Sequence, residues 1–373
     1  MKKIKGVVKH YDWGGKNYLP ELLKLSKTGD PFAEYWLGTH PDGSFSVVND
    51  DKSLSEYRGT PLPFLFKILD VRDMLSIQVH PDKATAEKGF IQEERSGKPR
   101  HAYDRVFKDD NHKPELMVAL SEFWLVQGFQ SDEHIRATLS DNPELKPIAD
   151  FYSENGLAKT YAYLMTMPQE EVNAILKPLG QRIKPLYESN ELPKEEINFW
   201  AARAYFTFNK KGVCDRGIFS LYLMNLVKLS KGEGIYQAPG VLHAYLEGQN
   251  VECMAASDNV VRGGLTSKHI DTEQLISIVR FEHELPQIIT PQVDGSYQTP
   301  AAEFQLKRIV HGGDLLVRQN TLVVNRDGPV QVEAPWQKLE LRNGEAIFIE
   351  KECAINLASD HGEPLELFLA AST

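Results

Sequence analysis

The chain changes its hydrophobic rhythm twice, and this limits the folds open to it more than any single residue does. Up to about Phe129 it consists of short β-type runs broken by Gly, Pro and Asp, such as Phe45-Ser46-Val47-Val48 and Leu75-Ser76-Ile77-Gln78-Val79-His80. From about Gln130 to Val213 the signals turn helical. Ser131 followed by Asp132 and Glu133 is a helix start, with a hydroxyl to cap the first turn and acids at the positive end of the helix dipole. Pro168-Gln169-Glu170-Glu171 and Pro193-Lys194-Glu195-Glu196 open two more helices. The apolar residues that follow (Val172, Ile175, Leu176 and Leu179 in one, Ile197, Trp200, Ala201 and Ala204 in the other) recur at the spacing of one helix face. From Cys214 strand patterning returns, as in 222–229, with Gly232-Glu233-Gly234 as a turn.

A helical insertion within a β domain accounts for this order simply, because closing a chain over a long insert costs little entropy. The expected organisation is a split β domain from 1–129 and 214–290, an all-α insertion at 130–213, and a C-terminal β domain at 291–373. The last contains strand-like runs such as Leu315-Leu316-Val317 and Ala346-Ile347-Phe348-Ile349. A length of 373 residues suits two or three such units.

Charge and cysteine use narrow the function classes. A net charge of −10, with no long Lys/Arg cluster, argues against a nucleic-acid partner, whose phosphates demand a basic face. The three cysteines, Cys214, Cys253 and Cys353, are far apart and form no CxxC, which disfavours a disulfide framework or a thiolate zinc site and fits a reducing cytoplasm. The opening Met1-Lys2-Lys3-Ile4-Lys5-Gly6 leads into no apolar stretch, and no run approaches the roughly 18 residues of a membrane span, so neither secretion nor a membrane partner is expected. Gly14-Gly15-Lys16 lacks the spacing of a phosphate loop, so nucleotide binding has no support.

Residues suited to chemistry fall in a few short stretches. Gln78 and His80 are two apart on an expected strand and so share a face. Glu115, in Asn111-His112-Lys113-Pro114-Glu115-Leu116, stands where a charged loop meets an apolar run. His243 follows the Pro239-Gly240 turn at a strand start. Two imidazoles and a carboxylate, with Gln78 as a fourth oxygen, are a ligand set suited to Zn or Fe(II). Taken singly, a His or Gln on a strand is usually a satisfied polar group, and Glu115 reads also as a surface carboxylate or a salt-bridge partner. Further on, Arg262 precedes Gly263-Gly264 and Lys268 follows. A planar guanidinium beside backbone that permits close approach is suited to a phosphate or oxyanion, although Gly263-Gly264 also reads as a plain turn with a solvated flank.

In order along the chain, Tyr11-Asp12-Trp13-Gly14, the stretch from Phe64-Leu65-Phe66-Lys67 to Gln78-Val79-His80-Pro81, Asn111-His112-Lys113-Pro114-Glu115, and the span from Pro239 through His243-Ala244-Tyr245 to Arg262-Gly263-Gly264-Leu265-Thr266-Ser267-Lys268 resemble the type I mannose-6-phosphate isomerases, cupin-fold zinc enzymes. The resemblance covers residues 4–290 well and the rest mainly by position. It departs at Asp12, where many relatives carry Pro. It implies a mainly β protein with a cupin-like (jelly-roll) barrel, an inserted helical domain and a C-terminal cupin-like β domain. It implies one zinc per subunit on Gln78, His80, Glu115 and His243, and Arg262 in the active site. Lys268, Lys67 and Ser76 would contact phosphate or sugar, with Tyr245 and Trp13 close by. For proton transfer it offers Glu252, Asp258, His112 and Lys113, of which Glu252 is the choice here, a shielded carboxylate being tunable toward neutrality. The expected activity is aldose-ketose isomerisation of mannose 6-phosphate and fructose 6-phosphate through a cis-enediol(ate). Two rivals share the ligands: a non-haem Fe(II) oxygenase, disfavoured by the cation pair and the fourth ligand, and a non-catalytic sugar-phosphate sensor, disfavoured by the acid/base residues around Glu252 and Asp258. Oligomeric state is not fixed by the sequence, and a monomer is compatible with it.

Overall fold

The computed structural model describes residues 1–48, 53–359 and 364–373. Among these, the strands form sheets of eleven, seven and four strands, so the protein is mainly β; no closed barrel is found. The strand His243–Ala255 organises the largest sheet. Its second half pairs with Phe64–Val71 and Glu115–Ala119, while its first half pairs with Phe123–Phe129 and, through His243, with Ile77–Val79. The change of partners falls at a register shift between Tyr245 and Glu247, followed by Gly248 at φ 129°. A bulge of this kind bends the strand and increases its twist, so one continuous strand serves two diverging layers.

Period-2 alternation then decides which side chains meet. Tyr35, Leu37, Phe64, Phe66, Ile68, Leu116, Val118, Val251 and Cys253 turn to one face and pack against Leu306, Leu322, Val324, Phe348 and Phe368 of the seven-stranded sheet. Their neighbours Glu34, Trp36, Lys67, Glu115 and Glu252 therefore turn to the other face. The polar residues of the strands are not scattered through the core. They are the complement of its apolar stripe.

Among the described residues, Lys83–Arg95 is a helix within the first β texture, and five α-helices lie between Phe129 and Met224, four of them at 130–213 and the fifth beyond it. They run as Asp132–Ser140, Lys146–Thr166, Gln169–Glu188, Ile197–Phe208 and Gly217–Leu221, between strands Phe123–Phe129 and Met224–Leu229, which pair directly with each other. The helical stretch thus leaves and re-enters the sheet through adjacent strands. Ser131 caps the first helix by accepting from the His134 amide. The third expected helix starts later than Pro193, at Ile197, with turns before it. The run 222–229 is strand only from Met224. Val172, Leu176, Leu179, Trp200, Ala201 and Ala204 are buried as their spacing requires, in one cluster with Ile77, Val79 and Phe129 of the strands.

One pairing was not legible from texture. Lys2–Lys5 and Ser46–Val47 take their places in the seven-stranded sheet, with Lys2–Lys5 hydrogen-bonded to Ala346–Ile349 of the last segment. Three charged residues in four hide a strand whose single inward side chain, Ile4, is the buried one. Among the described residues, no helix is long and apolar enough to cross a membrane.

Candidate metal centre and anion-binding cleft

His80, Glu115 and His243 converge below the face from which the two layers diverge, each offering one donor atom within 4.8 Å of the others. His80 Nε2 lies 3.5 Å from Glu115 Oε1, and His243 Nε2 lies 3.6 Å from Glu115 Oε2. All three residues are buried. The backbone sets the tautomers: His80 Nδ1 lies 2.8 Å from the Asn259 carbonyl and His243 Nδ1 lies 3.1 Å from that of Val241. A carbonyl only accepts, so each Nδ1 carries the proton and each Nε2 turns a lone pair inward. Both Nε2 atoms and Glu115 Oε2 are buried without a hydrogen-bond partner. Three orphaned donors aimed at one point are costly unless a cation fills it, and two imidazoles with a carboxylate match zinc. Gln78 stands directly across from His243 in register, which puts its amide on the same face.

The electrostatics agree. Burial pulls His80 down to about 4, so it stays neutral as a metal ligand must. Burial works against ionised Glu115, but Lys113, with Nζ 2.7 Å from Oε1, together with His80 and His243 holds the carboxyl well below its ordinary value.

A second buried system adjoins the first. Glu252 accepts from Tyr245 Oη at 2.8 Å and from Lys67 Nζ at 3.1 Å, and Lys67 also lies 3.9 Å from Glu34, which accepts in turn from the Trp36 indole. Burial, reinforced by the Glu115 charge, raises Glu252 above the usual carboxylate range despite Lys67. Lys67 behaves oppositely: burial would lower it, but Glu252, Glu34 and Glu115 together hold it protonated.

Above these residues opens a cleft of about 670 Å³ whose lining includes Lys67, Gln78 and Lys113, with Trp13 and Ser76 also at its wall. Trp13 stacks on Tyr11 with ring centroids 5.8 Å apart. Arg262 is the cross-strand partner of Gln78, so His243, Gln78 and Arg262 form one row across three strands. Lys268 and Lys108 share the cleft. Burial lowers Arg262, and burial with repulsion from Arg262 and Lys108 lowers Lys268. The Gly263-Gly264 pair is more than a turn. Gly264 has φ 131°, and a Cβ there would collide with the backbone of Gly217. Asp215 fixes the following loop by accepting from the amides of Leu265 at 2.9 Å and Thr266 at 3.1 Å.

The expected proton-transfer residues separate. Glu252 and Lys113 adjoin the metal-type cluster. Asp258 lines the cleft but is engaged by His40 at 3.0 Å and Arg100 at 3.1 Å; burial would raise it, and His40 chiefly holds it well below its ordinary value. His112 is hydrogen-bonded to Glu303; it is absent from the cleft lining, as are the buried Glu252 and Tyr245. Sequence reasoning missed Glu34, Lys108 and Asn259, and also the helical stretch's contribution of Thr207, Phe208 and Lys210 to the cleft. Lys108 had an available signal, lying three residues before the motif that begins at Asn111. Glu34 had only its place two residues from a tryptophan.

Fold and site together define a β protein built around a two-histidine, one-carboxylate metal-type centre beneath a cation-lined cleft. The family profile for "Phosphomannose isomerase type I, catalytic domain" matches residues 1–132. The chain is 33% identical to the mannose-6-phosphate isomerase of Escherichia coli (strain K12), covering 97% of this chain and 98% of that protein. It is 32% identical to the Salmonella typhimurium enzyme of the same name over 94% of each. A solved structure of the Salmonella typhimurium enzyme bound to substrate and a zinc atom superposes with a TM-score of 0.84 at 30% identity, covering 100% of this chain and 99% of that one. A mannose 6-phosphate isomerase bound with zinc and yttrium superposes equally well, at 0.84 and 30%. The chain belongs to the type I phosphomannose isomerase family.

Proposed function

We propose that the protein is a zinc-dependent mannose-6-phosphate isomerase that interconverts mannose 6-phosphate and fructose 6-phosphate through a cis-enediol(ate). The observation that carries this reading is the row His243, Gln78, Arg262, which sets a metal-type centre beside a cation-lined cleft on one face. An oxygenase gains nothing from that pocket. A sensor has no use for a carboxyl raised by burial next to the centre.

Gln78, His80, Glu115 and His243 would hold the zinc, which when bound supplies positive charge to stabilise an oxyanion on the sugar. The remaining work falls to the chain. Arg262 and Lys268 anchor the phosphate and fix the sugar's reach along the cleft, with Ser76, Trp13 and Lys67 at its wall. Glu252 removes the C2 proton and returns it at C1 on the same face; its raised carboxyl suits both halves of the transfer. Tyr245 and Lys67 hold that carboxyl in place, and Lys113 holds Glu115. Asp258, held well below its ordinary value chiefly by His40, is a weaker base than Glu252.

At the level of architecture, the bent strand and its two diverging layers support a cupin-like catalytic domain from 1–129 and 214–290. The helices of 130–213 are read as its insertion and 291–373 as a second β domain. A reducing cytoplasm fits the three cysteines, all free and buried.

The decisive experiment is conversion of mannose 6-phosphate to fructose 6-phosphate by the purified protein, lost on chelation and recovered with zinc. No conversion by the zinc-loaded protein rejects the reading. Lys268→Ala is expected to raise KM for the phosphosugar by roughly 10- to 100-fold while changing kcat by less than about threefold, because a phosphate anchor binds ground and transition states alike. An unchanged KM would remove Lys268 from that role.

A further inference from the structure

We infer that Lys108 is a third anchor for the substrate's phosphate, beside Arg262 and Lys268. This rests on the function proposed above and adds a specificity-determining residue to it. Lys108 lines the same cleft as the other two cations and is half-buried there. Among the described residues, none of the three side chains forms an ion pair or donates a hydrogen bond to a protein acceptor. Of the other lysines in the cleft lining, Lys67 pairs with Glu252 and Lys113 with Glu115, while Lys210 is exposed, at the end of the helical stretch. Asp258, an acid on the same cleft wall, is already shared between His40 and Arg100.

The backbone of Lys108 is held too firmly for a loop residue without a task. Its amide donates to Asn259 Oδ1 at 2.7 Å, and Asn259 Nδ2 donates back to the Asp109 and Asn111 carbonyls at 2.7 and 2.9 Å. Asn259 is fully buried, and its own carbonyl is the one that accepts from His80 Nδ1. One residue therefore fixes the separation between the metal-type centre and the root of the Lys108 side chain. That separation matters for a ligand with a reacting carbon at one end and a phosphate at the other. Three cations close enough that Lys108 and Arg262 both depress Lys268 repel one another, and a phosphate near dianionic charge relieves that repulsion. The lysine contributes a point charge with three rotatable donors where Arg262 offers a planar fork.

The test is Lys108→Met, which keeps the aliphatic stem and removes the charge, with Lys108→Arg as the conservative variant. Binding of inorganic phosphate to the zinc-loaded protein, titrated calorimetrically, is expected to weaken about tenfold in Lys108→Met and to stay within about threefold in Lys108→Arg. KM for fructose 6-phosphate should rise by a similar factor with kcat nearly unchanged. Phosphate affinity in Lys108→Met equal to that of the unaltered protein, while Lys268→Ala loses it, overturns the assignment. Because phosphate binding is read without turnover, failure of the unaltered protein to isomerise would count against the proposed function alone, and the Lys108 result would still decide the inference.

Discussion

Replacement of Glu252 by Gln is expected to lower kcat by roughly a thousandfold, the scale of a positioned acid/base group, and to abolish exchange of the sugar's C2 proton with solvent. The substitution conserves shape. Tyr245 can still donate to the amide oxygen, and the residue stands outside the His80, Glu115 and His243 group, so zinc content should not change. A variant that keeps its zinc and its KM but loses proton exchange identifies Glu252 as the base. If exchange persists, the role passes to another group, and Lys113 is then the foremost candidate because it alone of the remaining three adjoins the centre.

The second large effect concerns Glu115. Glu115→Ala should reduce zinc affinity by at least about a hundredfold, since even residues that merely support metal ligands cost ten- to a hundredfold. It also strands Lys113, nearly buried and without its carboxylate, and breaking a buried pair from one side costs about 3–5 kcal/mol. Two melting experiments separate the contributions. A chelator should lower the Tm of the unaltered protein, because a bound metal stabilises the native state by mass action, and should leave the Tm of Glu115→Ala where it is. Full zinc occupancy in Glu115→Ala after dialysis would refute the ligand set.

How much of this was legible beforehand depends on the kind of signal. The helical stretch was, because Ser131 and the two Pro-Gln/Lys-Glu-Glu openings are local and their apolar spacing speaks for one face. The donor chemistry was, because the residue types at His80 and His243 suit a metal wherever the strands run, although the strand Ile77–Val79 ends one residue short of His80. The convergence of Glu115 with them was not. It depends on His243–Ala255 changing partners at the Tyr245–Glu247 bulge, a long-range event that no window of neighbouring residues records. The cationic pocket was half visible: Arg262 and Lys268 stand in one motif, whereas Lys108 lies outside every motif singled out and is joined to that stretch through the Asn259 side chain. The partners that quiet Asp258 and His112 were hidden for the same reason. His40, Arg100 and Glu303 lie 218, 158 and 191 residues from the groups they hold.

The pairing of Lys2–Lys5 with Ala346–Ile349 has a consequence for how the chain is made. A ribosome releases residue 349 long after residue 2, so the first strand waits through nearly the whole of synthesis with its final partner still unmade. The eleven-stranded sheet, whose strands all lie before residue 290, can assemble in the meantime. Its apolar face stays bare until the last β segment arrives to cover Phe64, Phe66 and Val251. Such late closure of a distant pairing is slow and leaves apolar surface open to aggregation, so the newborn chain is at its most vulnerable just before its final strands emerge.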